Sequence, residues 1–294
     1  MSTLRELKGR IGSVSSSEKI TGAMKMISSA KMHKAENALK RLVPFRSQIN
    51  GIIANLLGSD AQFSSPLLTA RPVHKMAIVV WGSDDGLCGA YNINIVKQLL
   101  RYIVNIRQTL PGDVAIEIIA IGRKMYKSCR MLVDAQTTLI TPEDIDSKSD
   151  GDKVNTFLRR LINKFINGDY DRVDTMYMNY QSVSRQRLVT EQLLPILFSS
   201  FESNSDSRAD RPYIFEPDPT TIFNSVLPMF LMSTGQEIFT ENRAAEQAAR
   251  VMAMQSANDN AKKLLEQLQL EYNKLRQQSI TTELLDIVGG QVRD

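Results

Sequence analysis

The residue types best suited to chemistry fall in one short run, Gly82-Ser83-Asp84-Asp85-Gly86-Leu87-Cys88-Gly89-Ala90. It follows an apolar, β-branched stretch and precedes a helical one, so it reads as a strand–turn–helix junction. A glycine-rich turn in that place can cradle a phosphate at a helix N-terminus. The spacing, however, is neither G-x-G-x-x-G nor a Walker loop, because no Lys-Ser/Thr follows the glycines. Asp84 and Asp85 would also repel an anion, so a tight structural turn is the better reading. Cys88 has a nucleophile's side chain but no histidine near it in sequence; the only two are His33 and His74. A buried thiol explains it more simply. Two cysteines, Cys88 and Cys129, and two scattered histidines have no metal-ligand spacing and form no disulfide framework, which suits a reducing compartment. Asp84/Asp85 and Glu143/Asp144 read as turn and capping residues rather than acid–base pairs. The sequence therefore leads to no catalytic residue, no cofactor and no metal.

What positions this turn is an alternation of strands and helices. Strands are expected at 74–81, 114–121 and 175–180, with a fragment at 139–140 and a last strand at 187–194. Helices are expected at 91–108, 122–131 and 152–167. Such alternation argues a Rossmann-like α/β domain, 73–215, with a mostly parallel sheet. Residues 58–72 read as a linker, and Ser199–Asp218 as a polar loop.

The ends of the chain are different. From Glu241 onward there is no proline, and no glycine before Gly289. Met254, Ala257, Ala261, Leu264, Leu268, Tyr272, Leu275, Ser279, Thr282 and Leu285 recur at steps of three or four, with one four-four stutter at Leu268. This is a coiled-coil seam, and the helix is expected over 222–294. At about 1.5 Å per residue it reaches on the order of 100 Å, more than a compact domain needs. Residues 1–57 form a second long helix, with Thr3 and Glu6 as a capping box. Its expected seam includes Leu7, Ile11, Val14, Ile20, Met24, Ile27, Ala35, Leu42, Phe45, Ile49, Ile52 and Leu56, with a kink at Pro44. The two helices are expected to pair with each other as a long antiparallel coiled coil. Near the C-terminus Ile280, Leu284, Leu285, Ile287 and Val288 cover more than one face, so a surrounding apolar collar is implied.

Charge is unevenly spread. Residues 1–57 hold ten Lys/Arg against three Asp/Glu, whereas 58–221 hold nineteen against twenty and 222–294 seven against nine. Lys8, Arg10, Lys19, Lys25, Lys31, Lys34 and Lys40 stud the N-terminal helix, as a solvated face or as a surface steering toward an acidic partner. Aromatic residues are not interleaved with these charges, which argues against nucleic acid. No apolar run reaches the ~20 residues of a membrane span. The basic N-terminus runs on unbroken for too long to be a transit peptide.

Three separated stretches resemble the gamma subunits of F-type ATP synthases. They are Leu4–Ile11 continuing through Lys19–Ile27 to Ala30-Lys31-Met32; Gly86-Leu87-Cys88-Gly89 with Asn92; and Ala248–Met254, Asp259-Asn260-Ala261, Tyr272–Gln277 and Ile280–Leu284. Between about 110 and 220 the likeness lies only in the α/β pattern. The resemblance implies a non-catalytic central rotor shaft, one copy within a ring of three alpha and three beta subunits. Its rotation with the c ring would couple proton flow to conformational change at the beta-subunit sites. The epsilon subunit and the c ring would lie toward the α/β base and the loop near 203–211. By matching position, Met24, Lys25 and Lys31 would face the acidic catch loop of beta, and Arg276, Gln277, Thr281 and Glu283 its catch region. Ile280, Leu284, Leu285 and Val288 would turn in the apolar bearing. The implied location is peripheral, on the cytoplasmic face of a bacterial inner membrane. Departures from the family pattern are Asp85, where a basic residue is common, the spacing of Glu241–Gln247, and the polar tail 291–294. Other readings are an α/β nucleotide-binding protein with a helical arm, and a coiled-coil adaptor.

Overall fold

A computed structural model describes residues 3–57, 63–110, 113–197 and 215–291, with side chains as far as Leu285. The chain opens with α1 (Leu4–Leu57) and closes with α5 (Pro219–Gln291). Between them lie β1 (Lys75–Trp81), α2 (Tyr91–Thr109), β2 (Ala115–Ile121), α3 (Arg123–Cys129), β3 (Thr137–Ile140), α4 (Gly151–Ile166), β4 (Arg172–Tyr180) and β5 (Gln186–Leu194). The expected fold class is what the chain adopts. The five strands form one sheet in the order β3-β2-β1-β4-β5, parallel except for the antiparallel edge strand β5.

Both faces of the sheet are covered, which is why β1 is an unbroken apolar run rather than an alternating one. Met76, Ile78 and Val80 pack with α2 and α3. Ala77, Val79 and Trp81 pack with α4 and the lower parts of α1 and α5. Trp81 is the chain's one tryptophan; Phe157 and Phe239 meet its ring edge-on, and its Nε1 donates to Thr175 Oγ1 at 2.9 Å. Gly235 allows α4 to close on α5, since a Cβ there would lie 2.3 Å from Leu158 Cδ1.

The two long helices run antiparallel. Arg46 pairs with Glu237 at 3.1 Å, while Glu18 O, well back along α1, accepts from Asn258 Nδ2, well forward along α5, at 2.6 Å. Thr3 and Glu6 form the reciprocal capping box, with Thr3 N donating to Glu6 Oε2 and Glu6 N to Thr3 Oγ1. Pro44 removes one intrahelical bond, yet α1 continues through it.

The expected seams need correction in detail. Ile20, Ile27, Phe45 and Ile52 are exposed. The covered positions of α1 instead follow a strict three-four spacing through Leu7, Ile11, Val14, Glu18, Thr21, Lys25, Ser28, Met32, Ala35 and Leu39, then Leu42, Arg46, Ile49, Ile53 and Leu56. On α5 the seam takes Asn258 and Leu265 rather than Ala257 and Leu264, which removes the stutter. Hydrophobicity misleads here because polar Asn258 belongs in the seam. It bonds across to Glu18 O and Thr21 Oγ1, and Gly22 leaves it room. A single polar seam residue of this kind fixes register at some cost in stability.

Other differences are smaller. The 139–140 fragment is a true edge strand, β3. Part of the expected linker packs against the core: Leu67 is buried and Phe63 stacks on Phe223. Gly58, Ser59, Asp60, most of the 199–218 loop and residues 292–294 lie outside the described residues, as does the side chain of Val288.

Candidate functional site

The glycine turn after β1 is tied down by its own side chains and lines an open groove with Arg123, Lys124 and Arg130. Asp84 is buried, and its carboxylate accepts from Arg123 N at 2.9 Å and from Ser147 N and Oγ at 2.8 and 2.7 Å. It thereby satisfies the first amide of α3, a donor that helix starts leave free. Asp85 pairs with Lys148 at 2.7 Å, and that bond holds its carboxyl below the usual range. Asp144 pairs with Arg160 at 2.8 Å rather than capping a helix. Cys88 is buried, and burial pushes its thiol up, away from the reactive thiolate. Among the described residues no group of His, Cys, Asp and Glu has metal-site geometry, and no helix is long and apolar enough to cross a membrane.

The turn does something else: it grips α5. Asn242 lies inside the molecule, where its Oδ1 accepts from Tyr91 Oη at 2.7 Å and from Met178 N at 3.2 Å, and its Nδ2 donates to Gly82 O at 3.4 Å. One turn further on, buried Glu246 accepts from Arg250 at 2.7 Å, and Arg250 reaches Gly86 O at 3.3 Å and Asp85 O at 3.4 Å. One helix is thus bonded to the turn after β1, to α2 and to β4 together. Sequence reasoning missed this clasp. Its one legible signal was the irregular stretch Glu241–Gln247, in which Asn242 and Ala244 through Gln247 are all buried. Here α5 runs between α1 and the sheet and has no fully exposed residue between Glu241 and Arg250, so no heptad pattern can show.

Above the clasp the two helices stand alone as a shaft. Met24 and Lys25 are half-buried on α1 and Lys31 is exposed. Ile20, Met26 and Ile27 turn outward. Lys31 lies lower, at the level of the clasp, where it lines a groove with Lys34, Arg41, Arg243 and the start of α4. Leu7 and Leu268 are the last fully buried seam residues on their respective helices. α1 begins at Leu4, so among the described residues α5 beyond about Tyr272 is a single unpaired helix. Arg276, Gln277, Thr281 and Glu283 lie on it, all exposed. Ile280, Leu284 and Leu285 are exposed by 48, 57 and 66%. These residues and the Met24/Lys25/Lys31 group do not come together. With Asn258 beside Glu18, they sit at two levels whose centres are separated by roughly 45 Å along the axis.

Comparison with known proteins agrees with this geometry. A family model described as ATP synthase matches residues 3–292. The ATP synthase gamma chain of Bacteroides fragilis is 37% identical over 297 residues, covering 99% of this chain and 100% of its own. That of Psychrobacter cryohalolentis is 32% identical over 293 residues, covering 99% and 98%. Among solved structures, a chain of the Euglena gracilis mitochondrial ATP synthase in its OSCP/F1/c-ring assembly superposes with a TM-score of 0.63 at 19% identity, over 98% of this chain and 93% of its own. A chain of the Tetrahymena thermophila central stalk and c ring does so at 0.55 and 19%, over 81% and 99%. Full-length identity of this order, on a fold of two long helices closing over a five-stranded sheet, places the chain in the ATP synthase gamma-chain family.

Proposed function

We infer that this chain is the central rotor shaft of a proton-translocating F-type ATP synthase, without catalytic residues of its own. The observation that carries the reading is the free end of α5, a single helix that outruns its partner and exposes Ile280, Leu284 and Leu285. Burying a leucine or isoleucine side chain is worth about 1.5–3 kcal/mol. Three left in water on a bare rod make sense if an apolar collar of other subunits receives them. Arg276, Gln277, Thr281 and Glu283 on the same bare helix are free to bond to the catch region of beta. Met24, Lys25 and Lys31 would meet its acidic catch loop at the lower level.

The mechanism follows from symmetry. A two-helix coil that thins to one helix has no threefold axis, so in a ring of three alpha and three beta subunits it touches each beta differently. A contact difference of about 1.4 kcal/mol between two beta conformations shifts their ratio tenfold. Turning the shaft moves that bias from one site to the next. The clasp at Asn242 and Arg250 carries the turning force from the α/β body to the shaft. The body would face epsilon and the c ring. The location is peripheral, at the cytoplasmic face of a bacterial inner membrane.

The test is a complex carrying Arg276→Ala with Gln277→Ala. Both side chains are exposed, so the chain should fold normally while proton-driven ATP synthesis falls. Unchanged synthesis would remove these residues from the coupling path. Tight one-to-one nucleotide binding by the isolated chain would instead favour the nucleotide-binding reading.

A further inference from the structure

Where α1 and α5 cross β4 and β5, three carboxylates meet one half-buried cation, Arg46. Arg46 of α1 pairs with Glu237 of α5 at 3.1 Å, with side chains exposed by only 28 and 12%. Glu241, one turn along α5, accepts from Asn179 Nδ2 of β4 at 2.7 Å. Glu191 of β5 feels the charges of Arg46 and Glu237 and lies beside the Tyr177 hydroxyl. Arg187, opposite Asn179 on the same face of the sheet, is exposed at the rim. Glu191 Oε1 and Glu237 Oε2 are fully buried and have no hydrogen-bond partner among the described residues. Neither do Asn50 Oδ1 and Thr234 Oγ1, one turn further along the same faces of α1 and α5, on side chains more than nine-tenths buried. The carboxylate and amide oxygens among them are acceptors in need of a donor, and a proton on a carboxyl supplies one.

We propose that Glu241 and Glu191, set beside the Arg46–Glu237 ion pair, form a proton-binding site that sets how firmly the shaft is held to the sheet, gripping when protonated and loosening when the proton leaves. With all three ionised, Arg46 balances only one of them. Glu237 and Glu241 then repel at i,i+4, and both face Glu191 across a junction poor in water. Burial is the leading cause that pushes Glu241 up to about 7, and Glu237 and Glu191 add to it against the bond from Asn179 and the charge of Arg46. Burial also raises Glu191. The folded chain therefore holds the proton more tightly than the unfolded one. Its stability falls as pH rises from the ordinary glutamate range through about 7, and stays lower above that.

The test is amide hydrogen exchange of the full chain at about pH 6 and about pH 8, corrected for the intrinsic chemical rate and read in β5 and around 234–241. About two pH units across a titration near 7 should make corrected opening in the wild type about tenfold more frequent at the higher pH. In Glu241→Gln that difference should shrink to less than about twofold. The infrared band of a protonated carboxyl should fade in the wild type over the same interval and be weaker in the variant. If Glu241→Gln does not fold, Glu191→Gln serves, again with a reduced difference. Equal corrected exchange at both pH values in the wild type, or the full difference retained in a folded variant, would overturn the proposal. Neither outcome bears on the shaft reading, which rests on the other end of α5.

Discussion

Asn242→Ala should loosen the shaft from the α/β body, and its cost can be worked from the contacts. The substitution removes the acceptor for Met178 N and the shorter of two bonds from Tyr91 Oη, leaving only the longer one to Asn242 O. A buried amide left without a partner costs about 1–3 kcal/mol. The weakened Tyr91 bond adds about 1 kcal/mol, since that hydroxyl is also buried. The expected loss is thus about 2–4 kcal/mol. Trp81 packs on Phe239, one turn from Asn242, so its fluorescence reports the transition in a urea titration. A double-mutant cycle isolates the pair. Tyr91→Phe should cost about 1 kcal/mol alone and markedly less beside Asn242→Ala, a coupling of at least about 0.5 kcal/mol. A loss below about 0.5 kcal/mol, or additive effects within about 0.3 kcal/mol, would refute the clasp as a load path.

Further outcomes follow from other contacts. Gly235→Ala should cost about 1–3 kcal/mol although alanine is the better helix former, because its Cβ meets buried Leu158; Leu158→Ala should suppress part of that loss in the same urea assay. Asn258→Leu should raise the melting temperature but admit more than one helix register, seen as extra distances between spin labels on α1 and α5. Asp171 is held below its usual range against the cost of burial by the amides of Lys75 and His74 and by Arg71. Asp171→Ala should therefore cost about 1.5–3 kcal/mol at neutral pH. That difference should vanish as acid protonates the wild-type carboxyl, because stability from a depressed carboxylate is lost as pH falls through its folded value.

The sequence was most legible where one periodicity dominates. β1 is covered on both faces and reads as a continuous apolar run, as does β2 but for Glu117, and the long glycine- and proline-free stretch of α5 could be nothing but helix. Phase was harder than existence. Ile20 and Ile27 look like seam residues by type, yet the seam passes through Glu18, Thr21, Lys25 and Ser28. Small and polar side chains there allow close approach and a bond from Asn258, while the isoleucines face outward. β3 was legible only as a fragment because, as a short edge strand, it needs little hydrophobicity. The clasp was hidden for the opposite reason. Asn242, Glu246 and Arg250 look like surface residues on a helix, and only the packing of α5 between α1 and the sheet buries them. The tip residues were singled out by type and by resemblance; of them Ile280, Leu284 and Leu285 are exposed.

The shaft itself is tested most directly by watching it turn. In a complex of this chain with its alpha and beta subunits fixed to a surface, a bead on an exposed cysteine introduced at Arg101 would report motion of the α/β body. The account expects ATP to drive rotation in one direction with threefold-symmetric pauses, and Asn242→Ala to lower the torque the bead sustains. Steady ATP hydrolysis beneath a bead that only jitters, with the chain demonstrably in place, would contradict it.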